Sequence, residues 1–309
     1  DAGTDAMPPL VNLTYQELQK ACVITGACSV QRYTRLKDCV AAYYKIYAEN
    51  ALKPIYARMY ACVNKAGSDC TKVAKCMGFA ERPQAKDKAC DGNFVSRCDG
   101  NKAVTCDLDA LRGGWIQTID CSNAGLKCAI KNTGSKKVAI CGGGTCNAKK
   151  YKTNCQGNKS YSCTGDAIQI NDCTAQSMQC RDPTKGACEG TGRSWKTMNA
   201  LCCKDLNPAC STKGDVLTQV AGGYLWQQDC AKEPGKKTCS ATSNSCVGAG
   251  SECAEDSTFD TCDTDVVTLV TCVDGYKTKF NCQTLGFADG CKTADTGYGA
   301  FCRGKWYAD

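Results

Sequence analysis

Along residues 30–47 apolar and aromatic side chains return every three or four positions, at Val30, Tyr33, Leu36, Val40, Tyr43, Tyr44 and Tyr47. That period sets them on one face of an α-helix. Upstream, Thr14 followed by Glu17 reads as a capping box and predicts a short helix running through Cys22. Downstream, Pro54 suits a first helical turn, and Ile55, Met59, Cys62 and Val63 continue the pattern to Gly67. Asp69 stands where it can cap a last short helix carrying Val73, Cys76 and Met77. Residues 1–80 are therefore expected to form a small helical bundle, with the tyrosines between Tyr33 and Tyr60 in its core and at its rim.

After the polar, proline-containing segment 81–89, the helical period gives way to short β-rich runs bounded by turn residues. Thr164-Gly165-Asp166 and Asp274-Gly275 supply the positive backbone angles that tight hairpins need. The cysteines divide the chain more sharply. They fall into five successive groups of six, and Gly142-Gly143-Gly144, Glu189-Gly190-Thr191-Gly192 and Val247-Gly248-Ala249-Gly250 punctuate the later ones. Cys98-Asp-Gly-Asn-Lys-Ala-Val-Thr-Cys106 matches Cys155-Gln-Gly-Asn-Lys-Ser-Tyr-Ser-Cys163 in length and centre, which reads as an internal repeat with a period of about 50 residues. The expected architecture is a disulfide-rich mixed fold: a helical six-cysteine domain over 1–80, a linker over 81–89, and four β-hairpin-based cysteine modules in tandem over 90–143, 144–190, 191–250 and 251–309.

With 30 cysteines in 309 residues and no C-x-x-C bite to converge thiolates on a metal, paired disulfides are the expected state. Hairpin geometry suggests the pairing. If the second cysteine of a module enters one strand and the fourth leaves the next, the two face each other at the open end of the hairpin. That predicts Cys98–Cys121, Cys155–Cys173, Cys262–Cys282 and Cys210–Cys230. The fifth and sixth then bracket a further short hairpin, and the first is left to pair with the third. The group Cys202, Cys203, Cys210, Cys230, Cys239, Cys246 departs from the others. Aligning Gly222–Cys230 with Gly113–Cys121 and counting from Cys210 puts Thr218 at the third-cysteine position, so Cys203 is expected to take up the orphaned partner inside the module, the alternative being a vicinal bond to Cys202. Modules of about 50 residues bury little apolar surface, and bridges contributing about 2–4 kcal/mol each make up the difference.

Candidate chemistry is sparse. The chain has no histidine, which removes the commonest general base and neutral metal ligand, and no G-x-S-x-G, S-x-x-K or H-E-x-x-H pattern. A non-enzymatic protein is expected, with no catalytic residues, no cofactor and no metal. No stretch approaches the about 20 apolar residues that span a bilayer. The opening DAGTDAMPPL suits a flexible leader beside a cleavage or anchoring point, so a lipid anchor is compatible with it. The net charge of +7, read as spread along the length, favours weak attraction to acidic glycans or membranes over nucleic acid. Six residues before the fourth cysteine stand Trp115, Ala167, Tyr224 and Tyr276. The three rings, Trp115, Tyr224 and Tyr276, would stack on sugars or a neighbouring subunit if exposed; burial as module core is the favoured reading. Asn12-Leu-Thr and Asn158-Lys-Ser have the N-glycosylation pattern, which also arises by chance in surface loops.

Cys98-Asp-Gly-Asn, Asp120-Cys121, Gly125 and Cys128, together with Cys70-Thr-Lys-Val-Ala-Lys-Cys76, give a layout that resembles the cysteine-rich surface lipoproteins of myxobacteria and related bacteria. In these an Asp/Gly/Thr leader precedes a helical cysteine domain and hairpin repeats. The resemblance implies location at the outer surface more than an activity. The expected function is extracellular or cell-surface interaction or adhesion through a protein or glycan, copies of itself included, and the alternative is a subunit that polymerises into an extracellular filament or coat.

Overall fold

The computed structural model describes residues 11–30, 35–44, 51–79, 90, 93–109, 113–134, 136–157, 159–172, 209–210, 216–221, 224–232, 237–242, 245–253, 260–293 and 299–304. Its N-terminal part holds helices α1 (Tyr15–Ala27), α2 (Leu36–Tyr44), α3 (Lys53–Ala66) and α4 (Cys70–Cys76). Small antiparallel strand pairs and triplets follow, so the fold is disulfide-rich and mixed.

Local chemistry starts and stops the helices largely as the pattern requires. The capping box is formed, Thr14 accepting from the Glu17 amide and the Glu17 carboxylate accepting from the Thr14 amide, while the Asp69 side chain accepts from Lys72 N. α1 runs past Cys22 to Ala27 because Val23, Ile24 and Ala27 are buried too. It closes with Ser29 at φ +52°, Ser29 N donating to Gly26 O and Val30 N to Thr25 O, the Schellman arrangement. Val30 is thereby spent on that cap, and α2 begins at Leu36; residues 31–34 and 45–50 lie outside the described residues. Tyr43, Tyr56 and Tyr60 are buried and Tyr44 is half-buried. Cys22–Cys39, Cys28–Cys70 and Cys62–Cys76 cross-link the helices.

The first β unit is a three-strand meander: β1 (Arg97–Asp99), β2 (Lys102–Asp109) and β3 (Gly113–Asp120), in that spatial order. A separate hairpin of β4 (Lys127–Asn132) and β5 (Lys137–Gly142) follows. The triplet recurs three times, as β6 (Asn154–Gln156), β7 (Lys159–Thr164) and β8 (Ala167–Asp172); as β9 (Ala209–Cys210), β10 (Val216–Ala221) and β11 (Tyr224–Asp229); and as β14 (Thr261–Cys262), β15 (Thr268–Val273) and β16 (Tyr276–Asn281). The hairpin recurs as β12 (Thr238–Ser240) with β13 (Ser245–Val247), and as β17 (Cys291–Thr293) with β18 (Ala300–Cys302). Gly165, Asp166, Asp274 and Gly275 all have positive φ at the tight turns, as expected.

The extra strand overturns the expected second-to-fourth pairing. Cys98 lies on β1, which pairs with β2, and β2 stands between it and the strand that leads to Cys121. Two strand spacings are about 9–10 Å, beyond the about 7 Å limit for bridged Cα atoms. The same obstacle separates Cys262 from Cys282 and Cys210 from Cys230, since Cys262 is on β14 and Cys210 on β9. Instead the second cysteine joins the fifth, as Cys98–Cys128, Cys210–Cys239 and Cys262–Cys291 with Cα atoms 5.8, 5.6 and 5.6 Å apart. The fourth joins the sixth, as Cys121–Cys141, Cys230–Cys246 and Cys282–Cys302 at 5.1, 5.3 and 5.3 Å. First-to-third bridges form as expected at Cys90–Cys106, Cys146–Cys163 and Cys253–Cys272. Cys155 is bridged, but its expected partner Cys173 lies outside the described residues.

Register corrects a second expectation. In the complete groups the third cysteine sits three residues beyond the partner of the second and opposite the residue five before the fourth: Cys98↔Ala103 with Cys106↔Ile116, and Cys262↔Leu269 with Cys272↔Lys277. In the divergent group the pairs are Cys210↔Leu217 and Val220↔Leu225, so Val220 rather than Thr218 occupies the third-cysteine position. Cys210 stands seven residues from its register partner Leu217, against five from Cys98 to Ala103, so the count from Cys210 falls two residues short. Cys202 and Cys203 lie outside the described residues.

The units close on one another. One core cluster joins buried residues of all four helices to Leu269, Val273, Phe287 and Ala300 of the last β unit. A second joins Ala103, Leu126 and Ala139 to Ile170 of β8 and Ala51 beside α3. Among the described residues no helix is long and apolar enough to cross a membrane.

Candidate interaction surface

The expected aromatic positions resolve unevenly. Tyr276 opens β16 half-buried, and a Cβ on Gly250 would come 2.9 Å from its ring, so the ring lies on the backbone that enters its own unit. Ala167, its counterpart on β8, is fully buried and bridges Thr145. Both positions lie where one β unit meets the next. Trp115 and Tyr224 open or join strands at corresponding register, opposite Asp107 and Ala221, but their side chains lie outside the described residues.

Those junctions are built on backbone contact, and glycine is required for it. Gly143 N donates to Ile168 O and Ile168 N to Gly144 O, both at 2.8 Å. A Cβ on Gly142 would run into Ile168 O. At the later junction Gly250 N donates to Asp274 O at 3.2 Å and Glu252 N to Gly275 O at 3.0 Å, and a Cβ on Gly248 would strike the Asp274 backbone. The runs Gly142-Gly143-Gly144 and Val247-Gly248-Ala249-Gly250 are thus close-packed seams, and Glu189-Gly190-Thr191-Gly192 lies outside the described residues.

Asp274, at a hairpin tip and 7% exposed, ties three units: Tyr15 Oη of α1 donates to Oδ2 at 2.9 Å, and Lys237 Nζ lies 3.3 Å from Oδ1. Asp260, 6% exposed, accepts from Leu36 N at 3.2 Å and so caps α2 from the far end of the chain. Burial pushes its carboxyl up to about 6, while the Leu36 amide and the Arg35 guanidinium pull the other way. On the helical side of the first β unit, Thr118 N donates to Gly78 O and Gln117 Nε2 to Met77 O, each at 2.9 Å. Sequence reasoning missed all of these, because each joins residues far apart in the chain.

Among the described residues no three side chains of the metal-binding kinds converge. Lysines Lys131, Lys136, Lys137, Lys149, Lys150 and Lys152 gather around the tips of the β4–β5 and β7–β8 hairpins. The bridges and backbone seams define a disulfide-rich protein of mixed fold. No protein-family model matches the chain, and no curated protein or solved structure matches it.

Proposed function

We propose that the protein is a non-enzymatic extracellular or cell-surface interaction protein, a tandem repeat of one cysteine module docked on a helical unit. The observation that carries this reading is the layout of the bridges: among the described residues, second-to-fifth and fourth-to-sixth disulfides hold a small hairpin against three of the strand triplets. Backbone hydrogen bonds hold strands within a sheet, but two such small layers have little apolar area between them. They need covalent staples, and these persist only in an oxidising compartment. Attachment through a lipid at the outer surface, as the myxobacterial resemblance implies, is consistent with the same compartment.

Display of a discrete particle is favoured over polymerisation into a filament. Apolar side chains of the helices are buried against Leu269, Val273 and Phe287 of the same chain, which leaves those faces unavailable for head-to-tail contact with another copy. Size-exclusion chromatography with electron microscopy of the native protein tests the choice. Discrete particles are expected, and regular fibres would favour the filament instead.

A further inference from the structure

The positive charge of this protein is not spread along the chain. Residues 121–165 hold eight lysines and no aspartate, glutamate or arginine, so this one stretch carries +8 against +7 for the whole chain, and everything outside it sums to −1. Folding concentrates the charge further. Asn132 N, at the end of β4, donates to Gly165 O at 2.7 Å, which seats the tip of the β4–β5 hairpin against the tip of β7–β8. Cys146 N donates to Asp166 O at 2.9 Å and brings in the turn that follows, where Lys150 N and Tyr151 N both donate to Asn147 O. Lys136 and Lys137 on one side, and Lys149, Lys150 and Lys152 on the other, are exposed around that joint. None of these five has a carboxylate partner among the described residues. Two carboxylates border the area: Asp166, which accepts from Asn132 Nδ2 at 2.6 Å, and Asp172, 4.0 Å from Lys159.

We propose that this lysine surface binds a linear acidic polysaccharide. The inference rests on the interaction-protein reading and names its partner class. Charges strung over two hairpin tips and a turn match an extended polyanion; a single phosphate would need donors converging on one point. Lysine rather than arginine supplies hydrated point charges without the planar fork that reads phosphate bidentately. Membrane insertion lacks a wedge, since the exposed large apolar side chains Val95, Val247 and Val266 all lie outside the stretch.

The test uses the full disulfide-bonded chain and compares dextran sulfate with neutral dextran of equal length. Dextran sulfate is expected to bind and neutral dextran not to. A variant carrying Lys136→Gln, Lys137→Gln, Lys149→Gln and Lys150→Gln should bind on the order of thirtyfold more weakly, as loss of four exposed ion pairs implies. The slope of log affinity against log salt should also fall by about 3, as four fewer released counterions require. A control with Lys20→Gln, Lys65→Gln, Lys75→Gln and Lys292→Gln loses the same charge from exposed positions elsewhere and should bind nearly as the parent does. Equal weakening in both variants, or failure of the parent to bind dextran sulfate, overturns the proposal. Tighter binding to phosphatidylserine vesicles than to dextran sulfate overturns it in favour of a membrane. None of these results bears on whether the native protein is a discrete particle, so the scaffold reading is judged separately, in the micrographs.

Discussion

Asn101 shows how one side chain specifies a module. It sits in the two-residue turn between β1 and β2, after Gly100 at φ +58°, and its amide reaches the following hairpin: Nδ2 donates to Leu126 O at 2.9 Å and Oδ1 accepts from Cys128 N at 2.8 Å. Its own carbonyl accepts from Cys121 N. The two bonds from its side chain therefore hold backbone beside Cys128, the partner of Cys98. Asn101→Ala should lower stability by about 1–3 kcal/mol, by leaving part-buried backbone groups unpaired; denaturant midpoints at constant slope would measure it. Asp260 makes a different prediction. Its folded carboxyl titrates near 6, above its ordinary 3.8, so the native state holds the proton more tightly than the unfolded chain does. The contribution is fully present below about pH 4 and is lost as pH rises through 6, an effect of about 3 kcal/mol by pH 7. Asp260→Asn keeps an oxygen for Leu36 N and removes the charge, so it should flatten the stability profile between pH 4 and 7.

At the scale of elements, the decisive feature is the short first strand of each triplet. β1 and β6 span three residues, and β9 and β14 only two. Runs of that length carry no readable alternation. The Cys-x-Gly-Asn sequence that marks the repeat does contain the signal, because Gly100 and Gly157 both take positive φ at the first position of a tight turn, as a type II′ hairpin requires. Recognising that turn would have placed the second cysteine one strand further out and excluded the second-to-fourth bridge. The glycine seams lead to a steric prediction. Gly142 has no positive φ, so Gly142→Ala tests space alone, and the new methyl meets the Ile168 carbonyl. A loss of about 1–3 kcal/mol, with faster proteolysis between the first two β units, is expected. An unchanged melting profile would mean that the seam opens without cost.

For the whole molecule, closure is the main consequence. The helices lack enough surface of their own to enclose Ile24, Val40 and Tyr60, and the last β unit completes that core with Leu269, Val273 and Phe287. Hydrogen bonds from Gly304 N to Ala27 O and from Tyr15 to Asp274 join residues almost a full chain length apart. Helix and last unit should therefore unfold together. Phe287→Ala, at 3% exposure, is expected to cost about 3–5 kcal/mol and to lower the midpoint of helix loss followed by circular dichroism at 222 nm, although Phe287 is not in a helix. Melting of the helices at the parental temperature would show that they form an independent core.

What the residues determined by themselves is whatever acts over a few positions: the capping box at Thr14, the caps at Asp69 and Gly67, the positive-φ turns at Gly165-Asp166 and Asp274-Gly275, and the oxidised, mixed character that thirty cysteines impose. Local hydrogen bonds and backbone sterics suffice for these. The first-to-third bridges and the Cys-x-Gly-Asn turn were legible in the residues, but that the second cysteine meets the fifth and the fourth meets the sixth depended on where each hairpin packs against its triplet, and that is set by contact between distant segments. The seams, the Asp260 cap on α2, the shared core and the gathering of lysines at two hairpin tips likewise exist only once distant segments have packed, because the surfaces they bury belong to different units.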